Sequence, residues 1–267
     1  MNAGAGNDSG KPVLYSMAVC PYAQRTEILL RVKNMPYDAI QIEISQPRPA
    51  ALLAVNPLGK VPVLVHHGKA LNESSIINEY LDEIYPETPL LPADPYLRAQ
   101  LRLLIDYCNT RFSANHYRLL MEQQPERRQR AEAAVLADWR WLDAFLMRIN
   151  PEGDYVGDRF GMADLSYAPF FQRFVLNTYF WDFRLPDGEL ARVQRWQQAL
   201  REHPAVRATS LCDEDYIKLY ADYALGYSNG KLPPGRDRSS FNPAGALADQ
   251  PMPEKRSQSL PSNRGRT

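Results

Sequence analysis

Ser16-Met17-Ala18-Val19-Cys20-Pro21-Tyr22-Ala23-Gln24-Arg25 sets the architecture of the chain. Before it, Pro12-Val13-Leu14-Tyr15-Ser16 is short, apolar and β-prone; after it, Gln24 to Lys33 places Ile28, Leu29 and Val32 on one side of a helix. Cys20 therefore stands at a strand-to-helix switch. Pro21 is tolerated at the first helical position because its missing N–H has no intrahelical partner there, which makes Cys20 the N-cap. Unpaired backbone N–H groups then aim at its sulfur, and they and the helix dipole favour a thiolate. The arrangement predicts a thiol pKa below the free value of about 8.5 and a nucleophile at neutral pH. The competing reading is a small buried core residue.

A chain of 267 residues holds one large or two small domains, and 45% hydrophobic content is ample for a packed core. Lys plus Arg equals Asp plus Glu at 31 each, so no basic field draws nucleic acid. No apolar run approaches the roughly 20 residues of a membrane span. Met1 to Lys11 is rich in Gly, Asn and Ala and lacks the apolar segment of a secretory signal; it reads as a flexible N-terminus, and the expected location is cytoplasmic. Cys20, Cys108 and Cys212 lie far apart, which argues against a disulfide framework or a zinc site, so no metal is expected.

Further along, Ala39 to Ile44 alternates with period two and predicts a strand with Ile40, Ile42 and Ile44 facing the core. Ala50 to Val55 allows a short helix, ended by Asn56-Pro57-Leu58-Gly59-Lys60 before a second apolar run, Val61 to Val65. Pro62 cannot complete a ladder there, so an edge, a bulge or a cis bond after Val61 is required; a cis bond turns the Val61 backbone groups outward, where they can pair with a peptide. His67-Gly68-Lys69 reads as a hairpin turn and Ala70-Leu71 as a short strand. Asn72-Glu73-Ser74-Ser75 then leads into a helix carrying Ile76, Ile77, Tyr80, Leu81 and Ile84. The predicted order is β-α-β-α-β-β-α.

That order, Cys20 at the first helix start, Val61-Pro62 opening the third strand and Glu73-Ser74 opening the last helix together resemble the thioredoxin-like half of cytosolic glutathione transferases. Cys20-Pro21-Tyr22-Ala23-Gln24-Arg25-Thr26 is similar to the cysteine-type omega and lambda classes. The resemblance implies an α/β thioredoxin-like N-terminal domain over residues 12–87, a linker over 88–94, an all-α C-terminal domain over 95–228, and a homodimer. The remaining sequence agrees: Tyr85 to Pro95 is proline-rich, and helix-only periodicity follows in Leu97, Leu101, Leu104, Ile105, Cys108 and Phe112, then in Val135, Trp139, Leu142, Phe145, Leu146 and Ile149. Cys108 thus reads as core. Asp164 opens another apolar helix, with Gly161 where the family usually carries a Ser or Thr cap. From Asn229 to Thr267 the Pro, Gly and Ser content, with seven Lys or Arg against three Asp or Glu, predicts a disordered tail.

Cys20-Pro21-Tyr22-Ala23 resembles a glutaredoxin motif without its second cysteine. Ala23 cannot resolve a disulfide, so Cys20 is the catalytic candidate for monothiol exchange with glutathione as co-substrate. The resemblance implies that Tyr22, Lys60, Val61, Glu73 and Ser74 bind glutathione and that Pro62 shapes the strand structurally. The γ-glutamyl carboxylate would sit at Ser74 and the helix start, Glu73 would balance the ammonium, Val61 would pair with the cysteinyl backbone, and Lys60 is the nearest cation for the glycyl carboxylate. N-capping by Ser74 and a solvated turn at Lys60 are the structural alternatives. Tyr107, Arg111, Phe112 and Tyr117, on the first long helix of the helical domain, are the candidates for a second-substrate pocket. Tyr179-Phe180-Trp181-Asp182-Phe183 can line a pocket or fill a gap between helices. The leading function is a thiol transferase or reductase acting on glutathione mixed disulfides, dehydroascorbate-like oxidants or glutathionyl conjugates. The alternatives are a conjugating or ether-cleaving transferase and a non-enzymatic binding or regulatory protein on the same fold.

Overall fold

The computed structural model describes residues 10–258. Strands β1 (Val13–Ser16), β2 (Asp38–Gln41), β3 (Val63–His66) and β4 (Lys69–Asn72) form one sheet in the order β2-β1-β3-β4. β1 and β2 are parallel, which requires a crossover, and helix α1 (Pro21–Val32) provides it. β3 runs antiparallel to both β1 and β4, and the β3–β4 hairpin closes on His67 and Gly68, both left-handed at φ 48° and 72°. Helices α2 (Ala50–Val55) and α3 (Ser74–Ile84) complete the expected order. The Val61–Pro62 peptide, immediately before β3, is cis.

β2 departs from its predicted pattern. It ends at Gln41, Ile40 is exposed and Ile44 half-buried, so Ile42 alone of the three isoleucines is fully buried. The alternation is real, but β2 is an edge strand, and an edge gives cover to fewer side chains than a central strand does.

Asp82 ties the proline-rich connection to the first domain: its carboxylate accepts from the Leu90 N–H at 3.0 Å and pairs with the buried Lys33 ammonium at 2.7 Å. The helical domain then runs through α4 (Pro95–Tyr107), a π-helical turn (Cys108–Phe112), α5 (Ser113–Met121), α6 (Pro125–Ile149), α7 (Met162–Trp181), α8 (Ala191–Glu202), α9 (Pro204–Arg207), α10 (Asp213–Leu219) and α11 (Ala221–Ala224). α7 is apolar nearly all round because it is the central helix. It packs on α1 of the first domain as well as on α4, α5, α8 and α10. Gly161, which precedes α7, is more than a weak cap. A Cβ there would lie 2.8 Å from the Leu90 carbonyl oxygen, which accepts from the Met162 N–H, so only glycine lets the linker approach this closely.

Residues 229–258 correct the expectation of a disordered tail. Ser239 and Ser240 are buried, and the Ser239 hydroxyl and the Ser240 N–H donate to the Asp222 carboxylate at 3.1 and 2.7 Å. The Phe241 ring packs edge-on against Tyr220 and Tyr223, and the Tyr179 hydroxyl donates to the Pro253 carbonyl. Composition predicts only that a segment cannot build its own core; this one borrows the surface of α10 and α11. Residues 259–267 of the tail, and residues 1–9 of the expected flexible N-terminus, lie outside the described residues. The aromatic stretch at the end of α7 fills space between helices: Phe180 and Trp181 are buried, and the Trp181 indole donates to the Leu120 carbonyl. No helix among the described residues is long and apolar enough to cross a membrane.

Candidate active site

Cys20 caps α1 as expected, with extended backbone at φ −82° and ψ 115° and Pro21 following it. It opens onto a cavity of about 760 Å³ between the two domains. The thiol lies 3.8 Å from the Val61 carbonyl oxygen, toward which it donates weakly. Its pKa is not lowered as predicted. Burial raises it above the ordinary cysteine value, and the facing N–H groups of Ala23 and Tyr22, then the charges of Arg173 and Arg25, oppose that rise without overcoming it. The sequence showed the helix start but not how far the half-buried thiol is withdrawn from water beneath the helical domain.

Tyr22, Lys60, Val61, Glu73 and Ser74 all line the same cavity as Cys20, as does Pro62. Ser74 is the first residue of α3, is buried, and its hydroxyl accepts from Arg25 Nη1 at 3.4 Å. Glu73, before it, is exposed in a left-handed conformation at φ 67°, a strained geometry for a non-glycine residue, which aims it at the cleft. Lys60 is exposed on its turn, with its carbonyl held by the Asn56 amide at 3.0 Å. Arg48 adds a second cation to this end of the cavity, which the sequence reading missed. Two positive side chains and a helix N-terminus thus bracket an extended groove whose floor carries the thiol.

The second-substrate candidates divide. Tyr117 lines the cavity, but Tyr107, Arg111 and Phe112 do not. Phe112 is fully buried in the helical core, among Trp139, Tyr167 and Phe171. The Tyr107 hydroxyl donates to the buried Asp138 carboxylate at 2.6 Å, and Arg111 pairs with the same carboxylate at 3.3 Å. Helical spacing shows which residues share a face, not which way it points, and the π-turn at 108–112 rotates the faces before and after it. The outer wall is instead Tyr117, Met121, Tyr220, Tyr223 and Phe241. Phe241 had no sequence signal, because it comes from a segment with no periodicity. Among the described residues no group of three or more His, Cys, Asp or Glu side chains is placed to hold a metal.

Sheet, cleft and helical half together define a two-domain thioredoxin-like protein with a single thiol at its first helix start. Family models match on both sides of the linker: that for the glutathione S-transferase N-terminal domain over residues 14–89 and that for the glutathione S-transferase C-terminal domain over residues 125–199. The chain belongs to the glutathione transferase family. It is 30% identical to the probable glutathione transferase omega-2 of Caenorhabditis briggsae, over 81% of this chain and 87% of that protein. It is also 30% identical to the pyrimidodiazepine synthase of Drosophila melanogaster, over 82% of this chain and 88% of that one. Among solved structures, glutathione transferase Omega 3C from Trametes versicolor superposes with a TM-score of 0.70 at 30% identity, covering 83% of this chain and 92% of that chain.

Proposed function

We propose that the protein is a glutathione-dependent thiol transferase or reductase of omega type, working through Cys20 alone. The observation that carries this reading is a single thiol in the cleft. Ala23 occupies the place of a resolving cysteine, Cys108 is fully buried with its pKa pushed up to about 11 by that burial, and Cys212 lies on the surface outside the cavity. The similarity to proteins named omega transferases supports it. In this reading glutathione lies along the groove. Its γ-glutamyl carboxylate is at Ser74 and the α3 N-terminus, its ammonium at Glu73, its cysteinyl backbone against Val61 beside Tyr22, and its glycyl carboxylate near Lys60 and Arg48. The Cys20 thiolate attacks the glutathione sulfur of a mixed disulfide, and the partner thiol leaves and takes up a proton. A second glutathione thiolate then attacks the Cys20 adduct, releasing oxidised glutathione and regenerating Cys20.

Oxidised glutathione is expected to leave one glutathionyl adduct per chain, at Cys20, reversed by excess reduced glutathione. Peptide mass spectrometry that places the adduct on Cys108 or Cys212 overturns the reading. A second reading, conjugation of glutathione to an aromatic electrophile or ether cleavage, draws on the ring-lined outer wall of Tyr117, Tyr220, Tyr223 and Phe241. Turnover of an aromatic halide, run beside that of a small glutathione mixed disulfide, separates the two.

The same reading includes a homodimer. Its support is the exposed apolar side chains Ile76 on α3 and Tyr96 and Leu103 on α4, two helices bridged by Arg102 donating to the Glu79 carboxylate. Sedimentation at micromolar concentration should show twice the chain mass; a monomer alone rules the dimer out.

A further inference from the structure

Three arginines are buried in the described residues, and none of them forms an ion pair with a described carboxylate. Arg192 lies in the field of three carboxylates, Asp164, Asp154 and Asp143, and Arg173 in that of Glu27. Arg25 and Arg173, 1% and 4% exposed, form no ion pair with any described carboxylate. Their hydrogen-bond partners are all neutral. Arg173 Nε donates to the Tyr220 hydroxyl at 3.0 Å, Nη1 to Gln24 Oε1 and the Pro169 carbonyl at 2.7 and 2.8 Å, and Nη2 to the Val19 carbonyl at 3.1 Å. Arg25 donates to the Ser166 carbonyl, Asn109 Oδ1, the Ser74 hydroxyl and the Cys108 sulfur. Tyr216 stacks over Arg173 at 4.6 Å, and Tyr22 and Phe170 over Arg25 at 5.0 Å. Burying a guanidinium among neutral acceptors is expensive, so the place where a fold keeps such a charge calls for a reason.

The position of Arg173 points to the cysteine loop. It belongs to α7, yet its Nη2 and the Tyr220 hydroxyl both donate to the Val19 carbonyl, at 3.1 and 2.6 Å, and Val19 is the residue before Cys20. We propose that Arg173 is a positioning residue and the standing counter-charge of the Cys20 thiolate, holding the cysteine loop from the helical domain while Arg25 adds charge from α1. The inference rests on Cys20 being the working thiol. The direction in which Arg173 and Arg25 act on Cys20, against the burial that raises its pKa, agrees with it.

The other ionisable groups near the pair do not supply this charge. Around Arg173 they are Tyr216, Tyr220 and Tyr117; Tyr223 also faces Cys20 and opposes its thiolate. Glu27, on α1, is bonded to the Ser16 hydroxyl at 2.6 Å and is also within the field of Arg173. Lys60, Arg48 and Glu73 line the cavity from the thioredoxin-like side, where the glutathione peptide would lie.

The test is the pH dependence of Cys20 alkylation by iodoacetamide in the full chain, followed by peptide mass spectrometry, for Arg173→Gln and Arg173→Lys alongside the parent. Arg173→Gln should move the midpoint up by about one pH unit, about tenfold less thiolate at neutral pH, and Arg173→Lys should stay within about half a unit of the parent. An unchanged midpoint in folded Arg173→Gln overturns the proposal. Should that variant fail to fold, Arg173→Lys decides. A folded lysine variant with the parent's midpoint supports a role for the charge, because the Val19 and Tyr220 bonds are not reproduced, and a rise of a full unit assigns Arg173 to structure alone. The readout is a titration of one thiol, so it stands even if glutathione transfer proves to run elsewhere, which the adduct mapping above reports separately.

Discussion

Cys20→Ser is expected to lower turnover of a small glutathione mixed disulfide by at least about 10³-fold, while the Kd for glutathione changes by less than about threefold. The two effects separate because the two tasks lie on different atoms. Transfer needs a sulfur that can form and break a disulfide, and serine oxygen does neither under these conditions. Binding draws on Ser74 and the α3 N-terminus, the Val61 backbone, the Tyr22 side chain and the cations Lys60 and Arg48; the thiol meets this set only through its weak 3.8 Å approach to the Val61 carbonyl and the facing Tyr22 N–H, and a serine hydroxyl can take both places. The serine variant should also gain slow conjugation of glutathione to an aromatic halide, because a hydroxyl at a helix start can donate to a bound thiolate without being consumed by it. Ala23→Cys should act oppositely, letting an internal disulfide with Cys20 compete with the glutathione adduct. A Cys20→Ser protein that keeps full transfer activity overturns the monothiol mechanism outright. A parent protein that binds glutathione but turns over neither a mixed disulfide nor a halide would instead favour a binding or regulatory role on this fold.

What the sequence made legible was local chemistry. A β-prone run, Cys-Pro and an apolar helix face are contiguous, so the strand-to-helix switch at Cys20 could be read without knowing the fold, and so could the irregularity at Pro62 and the helix start at Ser74. The failures share one cause: they depend on which distant surface a segment meets. Tyr107, Arg111 and Phe112 sit at helical spacing, but Asp138 on α6 claims two of them and the helical core claims the third. Phe241 reaches the cleft because Asp222 anchors Ser239 and Ser240 just before it, a contact that composition cannot express. The raised Cys20 pKa is the same lesson in electrostatics, since a helix start exposed to water and one buried under a second domain differ by a desolvation cost that no motif shows. Arg173 did leave a sign. A lone arginine in Phe170-Phe171-Gln172-Arg173-Phe174, within a helix apolar on every side, has to be buried, and a buried charge asks for a reason.

Asp164→Ala should cost stability more than any change at the cleft, about 3 kcal/mol or more in the unfolding of the helical domain. The carboxylate is 1% exposed and gathers three donors: the Gly161 N–H at 2.8 Å, the Val156 N–H at 3.1 Å and the Trp196 indole N–H at 2.6 Å. It thereby joins the start of α7, the loop before it and α8, and alanine leaves all three donors buried without an acceptor. Asp164→Asn should cost less, because one carbonyl oxygen still accepts, though its NH₂ must then face a donor. The pH dependence gives a second reading of the same group. Burial outweighs the three donors and raises the Asp164 pKa from 3.8 to about 6, so the folded state holds this proton more tightly than the unfolded chain does. The resulting stabilisation is complete below about pH 3.8 and is lost as pH climbs through about 6. The stability gap between the parent and Asp164→Ala should therefore narrow from pH 4 to pH 7, while contributions from every other titrating group cancel in the difference. Denaturant melts of the two proteins across that range measure it. A gap that widens with pH would mean that the three donors dominate burial and that Asp164 is ionised throughout, and a gap below about 1 kcal/mol would mean that water replaces the carboxylate at the head of α7.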